Sequence, residues 1–259
     1  MGRTFEGARL DVAALAGSMP PGGDLAINTI RKSDLKRLNG LQTLPLSTLS
    51  LRWLSAVDLT RIPLPPSLKT LRIWHSGKLV SLAGIEAAER LQTVSLRGNG
   101  ALEDAMPLRA LAHLKDLSIQ GEPTSLQKIS TLDFLEGLAL HRLSLRAVEG
   151  THLDLGSVAR LKRLEEIDLH GPNFSPAELA KVAAARPHFL KQLMHLPTST
   201  LPRSACPTCG GARKELFIRS QKGLWCPSCE AAALDRELNR FLKLVTASRV
   251  TSAPRWVVG

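Results

Sequence analysis

The feature that most constrains this chain is a spacing. Three stretches, SLKTLRIWHS, LQTVSLRGN and LKDLSIQGE, share the form L-x-x-L-x-L and place apolar pairs at Leu71/Ile73, Val94/Leu96 and Leu117/Ile119, 23 residues apart. The same phase continues upstream at Leu49/Leu51 and Leu25/Ile27, and downstream at Leu143/Leu145 and Ile167/Leu169. The successive steps are 24, 22, 23, 23, 26 and 24 residues. An apolar pair two residues apart is a short strand with one buried face. One such strand cannot bury its pair alone, whereas copies stacked at a fixed period build a continuous core.

Period and pattern together resemble the leucine-rich repeat family over roughly residues 24–196. The resemblance implies an α/β solenoid, a leucine-rich repeat array whose strands line one face. It is specific at the strand and weaker at the turn. The family's asparagine, three residues past the second core position, falls on Ile30, Leu54, Ser76, Asn99, Glu122, Val148 and Pro172, and only Asn99 matches. The hydrogen-bonded asparagine ladder is therefore expected to be mostly missing, and the loops less regular than the family's.

A length of 259 residues is near the upper end for one compact domain, a limit that arrays escape because each repeat touches only its neighbours. There is no tyrosine and aromatics make up 4%, so the core must be aliphatic. A formal net charge of +11 favours an acidic partner, a nucleic acid or simple solubility. No run of about 18 apolar residues suggests a membrane span. The N-terminus carries acids early and lacks a signal-peptide pattern, so a cytoplasmic location is expected, with no membrane partner.

Along the chain, residues 1–23 read as an N-terminal leader or cap with a short helix from Asp11 to Ala16, stopped by Gly17 and the Pro20–Gly23 run. Residues 24–196 are the repeat array. Segments 79–90 and 107–114 have helical spacing and suit its convex side. Ser175-Pro176-Ala177-Glu178 is a capping-box sequence opening a helix that should run to about Arg186. Residues 189–196 suit a closing strand, and 197–205 form a polar, proline-containing linker. Residues 206–247 form a small module ending in a helix, and 248–259 are a tail.

All four cysteines lie in that module: Cys206, Cys209, Cys226 and Cys229, spaced C-x2-C-x16-C-x2-C. Two tight knuckles presenting four soft sulfurs suit one tetrahedral Zn²⁺, a closed and structural site with no open position for catalysis. Two disulfides would need an oxidising compartment; iron would need a second rubredoxin-like knuckle, and Glu230 after Cys229 does not complete one. The intervening ELFIRSQKGLW reads as a hairpin turning at Gln221-Lys222-Gly223, so the module resembles a zinc ribbon with Phe217 and Trp225 in its core. In the helix that follows, Leu234, Leu238, Phe241, Leu242 and Val245 share one face.

Strand alternation puts two rows outside the core. Between the core pairs stand Ala26, Ser50, Arg72, Ser95, Ser118, Ser144 and Asp168. Just beyond them stand Asn28, Arg52, Trp74, Arg97, Gln120, Arg146 and His170. The candidate partner-binding residues are Arg52, Arg72, Trp74, Arg97, Gln120, Arg146 and His170, because tryptophan and arginine are enriched where interfaces concentrate their energy. Their chemistry suits carboxylate or phosphate.

No phosphate loop, G-x-S-x-G or H-E-x-x-H motif occurs, every cysteine is assigned to the metal, and nothing completes a triad around His152 and Asp154. No small-molecule substrate is indicated. The sequence thus reads as a non-enzymatic recognition protein, an adaptor, inhibitor, immunity factor or complex subunit. Its face would bind an acidic protein partner beside a structural zinc ribbon, by analogy with bacterial proteins of this repeat class. The alternative is a nucleic-acid-associated protein that sets the ribbon and the arginines on phosphate.

Overall fold

Each predicted apolar pair lies in a strand of the computed structural model, which describes residues 2–122, 125–149, 153–170, 174–190, 193, 205–211, 213–215 and 224–252. The main strands are β1 (Arg3–Glu6), β2 (Gly23–Asn28), β3 (Leu46–Arg52), β4 (Thr70–Trp74), β5 (Thr93–Arg97) and β6 (Asp116–Gln120). A two-residue β7 (Gln127–Lys128) precedes β8 (Arg142–Arg146); a two-residue β9 (Val148–Glu149) precedes β10 (Glu166–His170). The eight longer strands form one parallel sheet in the order β1-β2-β3-β4-β5-β6-β8-β10, so nearly every strand pairs with the one before it in the chain. This arrangement is compatible with the solenoid that the period implies.

Two compact units divide the chain: Met1–Leu153 with Leu161–Glu166, and Asp154–Arg160 with Ile167–Gly259. In the first unit the register follows the repeat. Leu25 faces Leu49, Leu49 faces Leu71, and the line runs on through Val94, Leu117 and Leu143; Ile27, Leu51, Ile73, Leu96, Ile119 and Leu145 form the second line. All of these are buried, each contributing about 1.5–3 kcal/mol of transfer free energy. A parallel strand must be reached by a crossover. Here the crossovers are tight and mostly 3-10, such as Ile85–Ala87 and Met106–Ala110, where the sequence suggested helical segments.

β1 is a finding that periodicity did not predict: Arg3–Glu6 lies parallel to β2 with Phe5 opposite Ile27. The helix that follows, α1 (Val12–Ala16), is capped by Asp11, whose carboxylate accepts from the Ala14 N–H.

The turns also differ from expectation. The polar ladder is carried by three different residue types. The Leu54 N–H donates to Ser76 Oγ (3.1 Å), the Ser76 N–H to Asn99 Oδ1 (2.9 Å), and the Asn99 N–H to Gln127 Oε1 (3.2 Å). Asn99 Nδ2 donates to the Ile73 carbonyl, and Gln127 Nε2 to those of Asn99 and Leu102. Ser76, Asn99 and Gln127 are all fully buried. Gln127 does the work assigned by spacing to Glu122, because the 26-residue step adds a turn in which Glu122 and Ser125 bond each other's backbone. At Ile30, Leu54 and Val148 the same position is filled by buried apolar side chains.

Gly84 marks where neighbouring crossovers meet. Its φ is +99°, and an added Cβ would lie 2.5 Å from the carbonyl carbon of Leu59. Gly84→Ala combines left-handed strain with overpacking against backbone, and should cost about 3 kcal/mol or more. Urea denaturation of the variant, with the midpoint compared to wild type, measures this directly.

In the second unit, α2 (Gly156–Ala159) precedes β10, and α3 (Pro176–Ala185) follows it. Ser175 Oγ accepts from the Glu178 N–H, but Glu178 turns its carboxylate to the Leu155 N–H instead of completing the box. Residues 187–189 form a 3-10 turn and Leu190 and Leu193 are helical, not strand as expected there; 191–192 and 194–196 lie outside the described residues. α3 packs against the C-terminal helix Ala231–Ser252. On that helix Phe241 and Val245 are buried, and Leu234 and Leu238 half-buried, while Leu242 remains exposed. Most of the predicted apolar face is thus covered. The linker 197–204, the turn 221–223, Phe217 and the tail beyond 252 lie outside the described residues.

Candidate functional site

The cysteine cluster is built from two knuckles. At the first, the Cys206 N–H donates to the Gly211 carbonyl and the Gly210 N–H returns to the Cys206 carbonyl, both at 2.8 Å. Gly210, at φ +68°, makes that reversal without strain. At the second, the Cys226 N–H donates to Glu230 Oε2 at 2.7 Å, and the Cys229 N–H points at the Cys226 sulfur at 3.4 Å. Between the knuckles β11 (Lys214–Glu215) pairs antiparallel with β12 (Leu224–Trp225), placing Lys214 opposite Trp225.

All four sulfurs lie within 4.8 Å of one another. Cys206 and Cys229 are separated by 3.8 Å, and Cys209 and Cys226 by 3.5 Å. Four bonds of about 2.3 Å to a tetrahedral Zn²⁺ would set sulfurs about 3.8 Å apart, so the arrangement fits that ion. Cys206 and Cys226 face inward and Cys209 and Cys229 outward. The N–H groups of Cys209 and Thr208, aimed at the Cys206 sulfur, hold its thiol down to about 6. Cys229 is pushed up to about 12 by sharing hydrogen bonds with the sulfurs of Cys209, Cys226 and Cys206. Cys206 is thus the thiol of the cluster that ionises most readily and Cys229 the one that holds its proton most firmly, so a cation bound by both would displace a proton.

In the first unit the two outward rows stand in register. Ser50, Arg72, Ser95, Ser118 and Ser144 are successive partners, as are Arg52, Trp74, Arg97, Gln120 and Arg146. Arg72, Arg97 and Arg146 are exposed, Arg52, Trp74 and Gln120 half-buried, and Ser50 buried. The Arg52 guanidinium carbon sits 4.5 Å from the centre of the Trp74 ring, a cation–π contact. Arg97 Nε donates to Glu122 Oε1 at 3.1 Å, so one arginine of the row is already balanced by a carboxylate. The backbone of His170 ends β10; its side chain lies outside the described set.

Sequence reasoning passed over the residues next to that row. Trp53 and His75, one position beyond Arg52 and Trp74, stack with ring centres 6.1 Å apart and planes 22° apart. Trp53 is 50% exposed. Both residues have left-handed backbones, with φ of 51° and 55°. The available signal was two aromatic residues at one repeat position, 22 apart.

No family model matches the chain, and no curated protein matches it. Among solved structures, one match is a crystal structure of an internalin from Listeria monocytogenes. It is 16% identical, the alignment covers 62% of this chain and 71% of that one, and the TM-score is 0.30. The fold description therefore rests on strand order and register. Among the described residues, no helix is long and apolar enough to cross a membrane.

Proposed function

We propose that the protein is a non-enzymatic recognition module, a leucine-rich repeat solenoid that binds an acidic protein partner on its strand-lined, concave face. The observation that carries this reading is the in-register row Arg52, Trp74, Arg97, Gln120 and Arg146, with Arg72 on the neighbouring row; the reading also assigns His170 to partner binding. Strands about 4.8 Å apart present these side chains as one ridge on a rigid frame, and arginine forks match carboxylate pairs. The segments 1–23, 24–196, 197–205, 206–247 and 248–259 act in this reading as cap, array, linker, ribbon with helix, and tail, with the helix running on past the expected boundary to Ser252. Cys206, Cys209, Cys226 and Cys229 hold a structural Zn²⁺ that fixes the two knuckles.

The test uses the full chain as bait in its source cell, with and without nuclease. A partner captured after nuclease treatment should be lost when Arg52→Glu, Arg97→Glu and Arg146→Glu are combined, while the melting temperature stays close to wild type. Arg97 and Arg146 are exposed, and surface substitutions change stability by about 0.5 kcal/mol or less each; Arg52 is half-buried over Trp74 and loses a cation–π contact of about 0.5–1 kcal/mol. Capture that vanishes on nuclease treatment would instead favour binding to nucleic acid, and unfolding of the triple variant would make the arginines structural.

A further inference from the structure

The turn after five of the strands, β2, β3, β4, β5 and β8, repeats one unusual conformation, which Gly121 after β6 does not share. Thr29, Trp53, His75, Gly98 and Ala147 stand at the same repeat position, with φ of 50°, 51°, 55°, 64° and 49°. This left-handed region is natural to glycine and strained for bulky residues. The chain shows the relaxed solution itself: Gly98 makes the turn between Trp74's neighbour Arg97 and Asn99, and its N–H donates to the Gln120 carbonyl like the N–H groups of Trp53 and His75 to theirs. Glycine at 53 or 75 would preserve that backbone bonding. The frame therefore gives no reason for Trp53 and His75; their side chains do.

Those side chains form one surface. Trp53 stacks on His75, and His75 lies over Gly98, where a Cβ would meet its Nδ1 at 2.9 Å. His75 Nδ1 is also 3.8 Å from Glu122. On the adjoining row, Arg52 covers Trp74, and the buried Arg52 Nε donates to no protein group. An exposed indole thus stands one residue past Arg52, at the edge of a face of β3 to β8 where Arg52, Arg72, Arg97, Arg142 and Arg146 outnumber Asp116 and Glu122. Charge complementarity calls for carboxylates in the occupant, and the half-exposed indole calls for an apolar residue next to them.

Resting on the protein-recognition reading above, we infer that Trp53 and His75 form the anchoring platform of this face, and that its occupant is an acidic peptide segment carrying a large apolar side chain beside its carboxylates. The strain at 53 and 75 is retained for binding, a case of stability yielding to function.

The probe is a phage-displayed random dodecapeptide library selected on the full-length, zinc-loaded protein. Enriched peptides should place Asp or Glu within three positions of Leu, Ile, Phe or Trp. Their affinity should fall at least tenfold in Trp53→Gly and in His75→Gly, while the melting temperature of each variant holds or rises by about 2 °C. Affinity lost together with a lowered melting temperature would make the two residues structural and overturn the inference. So would enriched peptides that are basic or lack a shared pattern, a failure to enrich any peptide, or tight binding of a single-stranded oligonucleotide control that depends on Trp53. If the triple arginine variant loses the peptides and Trp53→Gly keeps them, the recognition reading stands and the platform falls. If every variant keeps them, both fall.

Discussion

Full-length protein carrying Cys226→Ser should retain less than about a tenth of the zinc that wild type holds, against an expected wild-type content of one ion per chain. Cys226 is the most enclosed of the four cysteines, and its knuckle is tied by the Glu230 carboxylate and by the Cys229 N–H at its sulfur. A serine keeps the shape but supplies no thiolate. Structural zinc sites stabilise their folds by about 10–16 kcal/mol in small peptides at pH 7, and the remaining three sulfurs cannot close a tetrahedron. Residues 205–230 should then open to proteolysis, while the strand signal in circular dichroism persists. Elemental analysis after dialysis and limited trypsin digestion report both effects. Wild-type protein purified with two disulfides and no metal would refute the site.

A second large effect is expected inside the turn ladder. Asn99→Ala removes the acceptor of the Ser76 N–H, leaving that fully enclosed donor without a partner, and takes a second donor from the Ile73 carbonyl, which keeps its place in the strand ladder with Arg97. An orphaned buried group costs about 1–3 kcal/mol and a lost hydrogen bond about 1 kcal/mol, so a loss of roughly 3 kcal/mol is expected. Glu122→Ala is the control. Spacing makes it the equivalent residue one repeat on, yet its carboxylate points to Arg97 and His75 at the surface, and its removal should cost about 0.5 kcal/mol or less. Equal losses measured by urea denaturation would mean that the ladder does not hold the turns.

These two cases show what the sequence could and could not reveal. The core pairs were legible because a two-residue alternation held at a fixed period has few foldings, and every predicted pair from Leu25/Ile27 to Ile167/Leu169 is buried. The cysteine cluster was legible because ligand spacing is local. β1 was not: Arg-Thr-Phe-Glu stands one step of 22 residues before Leu25, but it is short, mostly exposed and carries Arg3 where the pattern needs an apolar residue, and it becomes a strand by pairing with the edge of β2. The ladder was misread because its chemistry is a backbone requirement that serine, asparagine and glutamine can each meet, from positions that shift with turn length. Trp53 and His75 escaped notice because attention to strand faces ignores the residue just past the strand, where backbone handedness is the informative quantity.

The extra turn between Gln120 and Gln127 has a consequence for how such a surface can diverge. With that longer turn the frame-holding role falls to Gln127 and not to position 122, and Glu122 stands at the surface, balancing Arg97 and reaching His75. Shortening the turn would draw that position back into the interior and strip the face of a carboxylate, with no substitution on the face itself. Loop length and surface charge are therefore one variable in this chain, and a change of a few residues in a crossover can edit specificity as surely as a point mutation.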